Sequence, residues 1–167
     1  MFAIKDDLFY RYSRFRGRTK IMTYDKEKTD ETFECQEGCY IKYVNIDDDT
    51  ITKVYSLRFY VEYHDPVVHD TILWRISEDM YEYRPFSIDN NEVGITTFGS
   101  CKESGWHSHG RDNSSKIINL MDCNSYVLEY EYYKRDGRLL DKSDIERETV
   151  DKDKFIEAVK KHQISNV

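Results

Sequence analysis

Thr50-Ile51-Thr52-Lys53-Val54-Tyr55-Ser56-Leu57-Arg58-Phe59-Tyr60-Val61-Glu62-Tyr63 is the stretch on which the fold turns. Ile51, Tyr55, Leu57, Phe59, Val61 and Tyr63 share one face, interrupted only by Lys53, while Thr52, Ser56, Arg58 and Glu62 take the other. A period of two belongs to a strand with one buried face, because successive side chains leave a pleated backbone on opposite sides. Asp65-Pro66 closes the run, since proline has no N–H to give the ladder. Just upstream, Asp47-Asp48-Asp49 reads as a turn and Cys39 to Ile46 as the strand before it.

The rest of the 167 residues agrees with a strand-rich chain. Two Ala and seven Leu stand against 14 Ile, 10 Val, 14 Tyr, 10 Thr and 8 Phe. Branched and aromatic side chains lose rotamer freedom in a helix and pack well on a pleated sheet. Further strands are expected at Arg18 to Tyr24, Thr71 to Ile76, Glu92 to Phe98, Lys116 to Met121 and Tyr126 to Lys134. Glu82 to Phe86 reads as extended, because the residue before Pro85 is pushed out of helical geometry. Strand and short helix compete over Ala3 to Tyr12. Asp136-Gly137 is a hairpin turn leading into Arg138-Leu139-Leu140. Asp151 opens a helix near 152–163, where Phe155, Ile156, Val159 and His162 recur at helical spacing and Lys160-Lys161 oppose the dipole. Residues 99–115 show no period and read as a long surface loop with Trp106 near its tip, either partly exposed beside Lys102 or Arg111 and ready to insert into a partner, or folded back as a lid on the sheet. The expected architecture is mainly β (α+β): one domain over 1–167, an antiparallel sandwich or open barrel of seven to eight strands, and a C-terminal helix.

Function has fewer handles. No apolar run approaches a membrane span, and charge interrupts Met1-Phe2-Ala3-Ile4-Lys5-Asp6-Asp7 at once, so no signal peptide is expected. Four Cys in such a chain are expected to stay reduced in a cytoplasm. There is no Gly-rich phosphate loop. Cys101, His107, His109 and Cys123 are residue types that zinc prefers, but Cys101 to His107 is not a finger's spacing; Cys35-x3-Cys39 has a plausible ligand separation interrupted by Gly38, and no metal or cofactor is expected. The pairs of Cys101 or Ser100 with His107 lack an oxyanion-hole signature, which leaves an enzyme the less favoured class.

Charge is the more informative feature. The net charge is −7, yet residues 1–20 balance at +4 and residues 21–50 at −6. Glu31, Glu34, Glu37, Asp47, Asp48 and Asp49 bracket the strand at 39–46 and form one negative patch if 31–37 crosses to the Asp47 end. With Trp106, His107 and His109 as anchors, that patch suits a basic protein partner, because complementary potential speeds encounter and aromatic residues anchor interfaces. The leading reading is therefore a non-enzymatic acidic binding or inhibitor protein. In general character it resembles the immunity proteins that neutralise toxins and the phage or viral proteins that block host defences, which implies a toxin or defence protein as partner. Two alternatives remain. One is a metal-dependent enzyme built on the 99–115 loop. The other is a nucleic-acid-binding protein using residues 10–20, where Arg11, Arg14, Arg16, Arg18 and Lys20 interleave with Tyr10, Tyr12 and Phe15; the same arginines are equally suited to pairing with the acidic segment 25–37.

Overall fold

The computed structural model describes residues 1–65, 71–75, 88–98, 105–109 and 113–162. Among them are β1 (Phe2–Lys5), β2 (Leu8–Phe15), β3 (Arg18–Thr23), β4 (Glu34–Gln36), β5 (Cys39–Val44), β6 (Ile51–His64), β7 (Thr71–Arg75), β8 (Glu92–Phe98), β9 (His107–His109), β10 (Asn113–Asn119), β11 (Ser125–Arg135), β12 (Arg138–Val150) and one helix, α1 (Lys152–His162). The protein is mainly β, as its side-chain inventory requires. Eight strands follow the order β12-β11-β6-β1-β2-β3-β5-β4, with β7 paired to β6, and β8-β10-β9 form a separate sheet. The long order has two ends, so the sheet is open. Strands outnumber the seven or eight expected because β1, β4 and β9 are pieces of three or four residues, too short to show a period. The extended segment expected at Glu82 to Phe86 lies outside the described residues. No helix among those described is long and apolar enough to cross a membrane.

The chain divides into two compact units. The first comprises Met1–Leu57 and Tyr130–Glu146. Its hairpins turn at Asp6-Asp7, Arg16-Gly17, Glu37-Gly38 and Asp136-Gly137, with φ positive at both positions of every pair. Such turns carry the twist that matches right-handed strands. Buried Ala3, Tyr10, Tyr12, Ile21, Ile51 and Val54 form the core, with Phe33, Val44, Ile46 and Tyr133 against it. The face of β6 needs a correction here. Lys5 pairs with Ile51 but Ile4 with Lys53, so Thr52 is an extra, bulged residue. A bulge opposes two residues to one and reverses the alternation beyond it. Ile51 therefore joins Val54 in the core, while Tyr55 turns to the other face and meets Tyr130 and Tyr132 at ring distances of 5.7 and 5.9 Å.

The second unit comprises Arg58–Glu129 and Arg147–Val167. Asp151 caps α1, its Oδ1 accepting from the Lys154 N–H at 2.8 Å. Phe155 and Val159 are the buried face of the helix, and the Phe155 ring meets Phe59 edge-on at 5.8 Å and Tyr126 at 5.3 Å. Two buried carboxylates are paired. Glu129 accepts from Arg58 at 3.1 Å, Arg147 at 2.7 Å and the Tyr60 hydroxyl at 3.3 Å, and Asp65 accepts from Lys116 at 2.7 Å. The loop expected over 99–115 is corrected within the described residues. Asn113–Asn119 is a full strand of a three-stranded sheet, and His107–His109 pairs with its start.

Candidate functional site

The six acidic residues sit on two segments, one before β5 and one after it. Glu31, Glu34 and Glu37 are exposed around β4, the end strand of the sheet, with Glu34 opposite Ile41 and Glu37 in the turn to β5. The segment after β5 leaves that edge sideways, across the sheet. Val44 pairs with Thr19 and therefore lies level with Arg14 of β2, whereas Ile51 pairs with Lys5, level with Leu8. Residues 45–50 thus cross about 20 Å of sheet length, six positions at ~3.3 Å each. They end beside β1, which is three strand spacings, or about 14 Å, from β5.

That crossing is fastened from within. Lys134 is 1% exposed, and its amine donates to the carbonyls of Ile46 at 2.7 Å and Asp48 at 2.9 Å. Asp48 accepts from the Thr50 hydroxyl and from its N–H at 2.9 Å, with Lys5 at 3.9 Å. The Thr50 hydroxyl bond, its N–H and the two lysines outweigh partial burial and hold the Asp48 carboxyl below the usual carboxylate range. Asp48 is part of the fold's own wiring; only Asp47 and Asp49 face solvent from that turn.

Trp106 is 6% exposed, which overturns the expectation of an exposed anchor and agrees with a ring folded inward. Its ring lies 5.9 Å from the Lys116 amine, which also stands 5.6 Å from the Tyr63 ring and pairs with Asp65. A cation held over two rings and against a buried carboxylate packs this region from inside. His107 is exposed and pairs with Ser115; the backbone of His109 pairs with Asn113. Cys101, Lys102 and Arg111 lie outside the described residues. Burial, with Asp122 adding to it, pushes the Cys123 thiol up to about 12, so it is a thiol at neutral pH. Cys35 faces Tyr40 across the ladder and Cys39 faces Gln36, which places the two sulfurs on opposite faces. Among the described residues no three of His, Cys, Asp and Glu stand together as a metal set.

The basic head has a different character. Phe15 and Arg18 are cross-strand partners, as are Ser13 and Lys20, and Lys20 also pairs with Tyr43. Cross-strand partners share a face, as do alternate residues along a strand. Phe15, Arg18, Lys20 and Tyr43 therefore occupy one face at the end of the β2–β3 hairpin. Phe15 is 68% exposed and Tyr43 58%. The Arg16 guanidinium stands over the Phe15 ring at 5.1 Å. Beside them a groove of ≈ 390 Å³ is lined by Gly17, Arg18, Thr19, Tyr43, Val44 and Asn45. Among the described residues Arg14, Arg16, Arg18 and Lys20 make no ion pair; the acidic segment takes other cations, Lys28 with Asp25 and Lys42 with Asp30. The signal missed in the sequence was Arg16-Gly17, the turn that brings the two basic strands together. Comparison with protein-family models, with curated proteins and with solved structures finds no match for this chain.

Proposed function

We propose that the protein is a non-enzymatic binding protein whose β2–β3 hairpin, with Tyr43 of β5, holds a short single-stranded nucleic acid. The observation that carries this reading is the pair of largely exposed rings, Phe15 and Tyr43, on the face of Arg18 and Lys20. Every base has a face that stacks on an aromatic ring, and guanidinium forks grip phosphate oxygens. Rings and cations one strand apart suit a ligand that alternates flat bases with charge. A net charge of −7 repels a polyanion at a distance, so the contact is local, short and steep in salt. Fluorescence anisotropy of the full chain with labelled RNA and DNA 8-mers tests it. Binding that falls as salt rises, and that weakens about five- to hundredfold in Phe15→Ala, is the expected result. Equal binding by the parent and by Phe15→Ala sinks the reading.

A second reading rests on the exposed carboxylates of Glu31, Glu34 and Glu37 at the sheet edge. It is the acidic inhibitor of a basic protein, a toxin or defence protein, working in a cytoplasm. Steering by these groups predicts an association rate that drops with salt and with charge reversal at Glu34 and Glu37, while dissociation changes little. An association rate indifferent to that reversal at low salt removes it.

A further inference from the structure

Among the described residues, the two ends of the nine-stranded sheet are finished differently. At one end β4 is three residues long and closes in a tight turn. At the other, β12 runs 13 residues without Gly or Pro, and nearly all of its side chains are exposed. Leu139 and Ile145 are among the exposed large hydrophobics. A long end strand offers a row of backbone donors and acceptors to any strand that can pair with it.

We propose that residues 138–146 of β12 pair antiparallel with the same segment of a second copy, about a two-fold axis through Lys142. In that register Arg138-Leu139-Leu140-Asp141-Lys142-Ser143-Asp144-Ile145-Glu146 sets complementary partners at its two ends, against the cost of Leu140 facing Asp144 and of Lys142 facing Lys142 in the middle. Arg138 faces Glu146 of the second copy and Leu139 faces Ile145, each twice by symmetry. Opposite charges and apolar partners directly across a ladder are the stabilising pairs of antiparallel sheets. Lys142 faces its own copy, and Asp144 of the second copy is its diagonal neighbour on the same face. A slip of one residue either way loses this. Shifted down, Asp141 meets Lys142 but Arg138 meets Ile145 and Leu139 meets Asp144; shifted up, Leu140 meets Ile145 but Asp141 meets Asp144 and Arg138 meets Arg147. Within one copy the Arg135 guanidinium already holds Asp144 at 3.3 Å and Glu146 at 3.0 Å, which fixes the carboxylate that Arg138 of the second copy would meet. The register holds whichever residues of β12 turn their backbone groups outward, because antiparallel pairs alternate bonded and non-bonded sites.

Sedimentation velocity of the full chain over a wide concentration range tests the pairing. The parent shows a reversible dimer. Arg138→Glu weakens it at least about fivefold by setting like charges across the ladder twice, and adding Glu146→Arg restores it. Far-UV spectra stay unchanged, and unfolding curves taken at concentrations where the parent is monomeric move by no more than about 1 kcal/mol, since the Arg135–Glu146 pair that the second change breaks is exposed. A parent that remains monomeric at ~100 μM, about a hundred times the range of common micromolar association, overturns the proposal. So does a dimer whose strength ignores both the single change and its reversal.

Discussion

The acidic turn at Asp47-Asp48-Asp49 and the basic hairpin at Arg14 to Lys20 look equivalent as charge clusters in the sequence, and the fold treats them in opposite ways. The turn is tied down from inside: Lys134 caps the carbonyls of Ile46 and Asp48, and Thr50 with Lys5 occupies the Asp48 carboxylate, while Asp47 and Asp49 stay exposed. The hairpin keeps its cations clear of ion pairs among the described residues and holds two large rings in solvent beside them. A run of like charge therefore says little about function until the partners of each group are known. Charges that the fold consumes contribute to stability, and charges left over are available for a ligand.

The largest effect expected from this contrast is at Lys134. Lys134→Met keeps the aliphatic stem and removes the amine, which strands the carbonyls of Ile46 and Asp48 under the crossing segment. Leaving buried acceptors without donors costs about 2–4 kcal/mol in total. Urea unfolding of the variant measures it, and Arg18→Glu at the exposed hairpin is the control, expected within about 0.5 kcal/mol of the parent. Next in size is the double change Phe15→Ala with Tyr43→Ala. Loss of both stacking rings is expected to abolish measurable 8-mer binding, at ~1–3 kcal/mol for each ring, with unfolding unchanged. A large fall in stability for that pair would mean that the rings belong to the fold after all.

Acid separates the two regions further. The folded-state pKa of Asp48 is depressed, chiefly by the Thr50 hydroxyl. Its contribution to stability is therefore complete above the unfolded value of about 3.9 and is lost as pH falls through the lower folded value. Asp48→Asn is expected to remove that share of the acid limb. A second and higher window belongs to His162, whose pKa burial lowers to about 4. Here the unfolded chain takes up the proton first, so stability falls as pH drops from about 6.5 towards 4, by ~3 kcal/mol at most. Unfolding titrations of His162→Gln, expected to be flatter across that range, check it.

What the sequence disclosed was local. The period of β6, the limits of β8 and the Asp151 cap of α1 each follow from neighbours within a few residues, and they were readable. The bulge at Thr52 was not, because it is defined by the partner strand β1. Nor was the length of β12: its exposed, charged residues carry no period, and Ser143 to Glu146 imitates a helix start. Residues 99–115 misled for a related reason, since Ser114 and Ser115 of β10 are polar and give no apolar alternation. The anchoring of the acidic turn was hidden by distance along the chain. Lys134 holds carbonyls 88 and 86 residues away, and no window of sequence contains both. The hairpin was half legible: its mixture of arginine and rings was visible, but the turn that places Phe15 beside Arg18 was not read.

That turn supplies the smallest and most discriminating expectation. Arg16 holds φ 50° at the first position of a two-residue hairpin turn, followed by Gly17 at φ 77°. The left-handed region crowds the Cβ of an ordinary residue, at about 1–2 kcal/mol, while asparagine tolerates it through local side-chain bonds. Arg16→Asn therefore makes the favoured Asn-Gly turn and is expected to raise stability by about 0.5–1 kcal/mol. The same change removes the guanidinium above the Phe15 ring. Binding of the 8-mer should weaken by about threefold to tenfold, and the slope of log K against log salt should fall by about 0.7, one phosphate contact on a single strand. Stability and binding then move in opposite directions from one substitution. If both rise together, Arg16 is merely a strained turn residue and the phosphate contacts lie with Arg18 and Lys20; if both fall, the turn depends on the arginine stacking on Phe15.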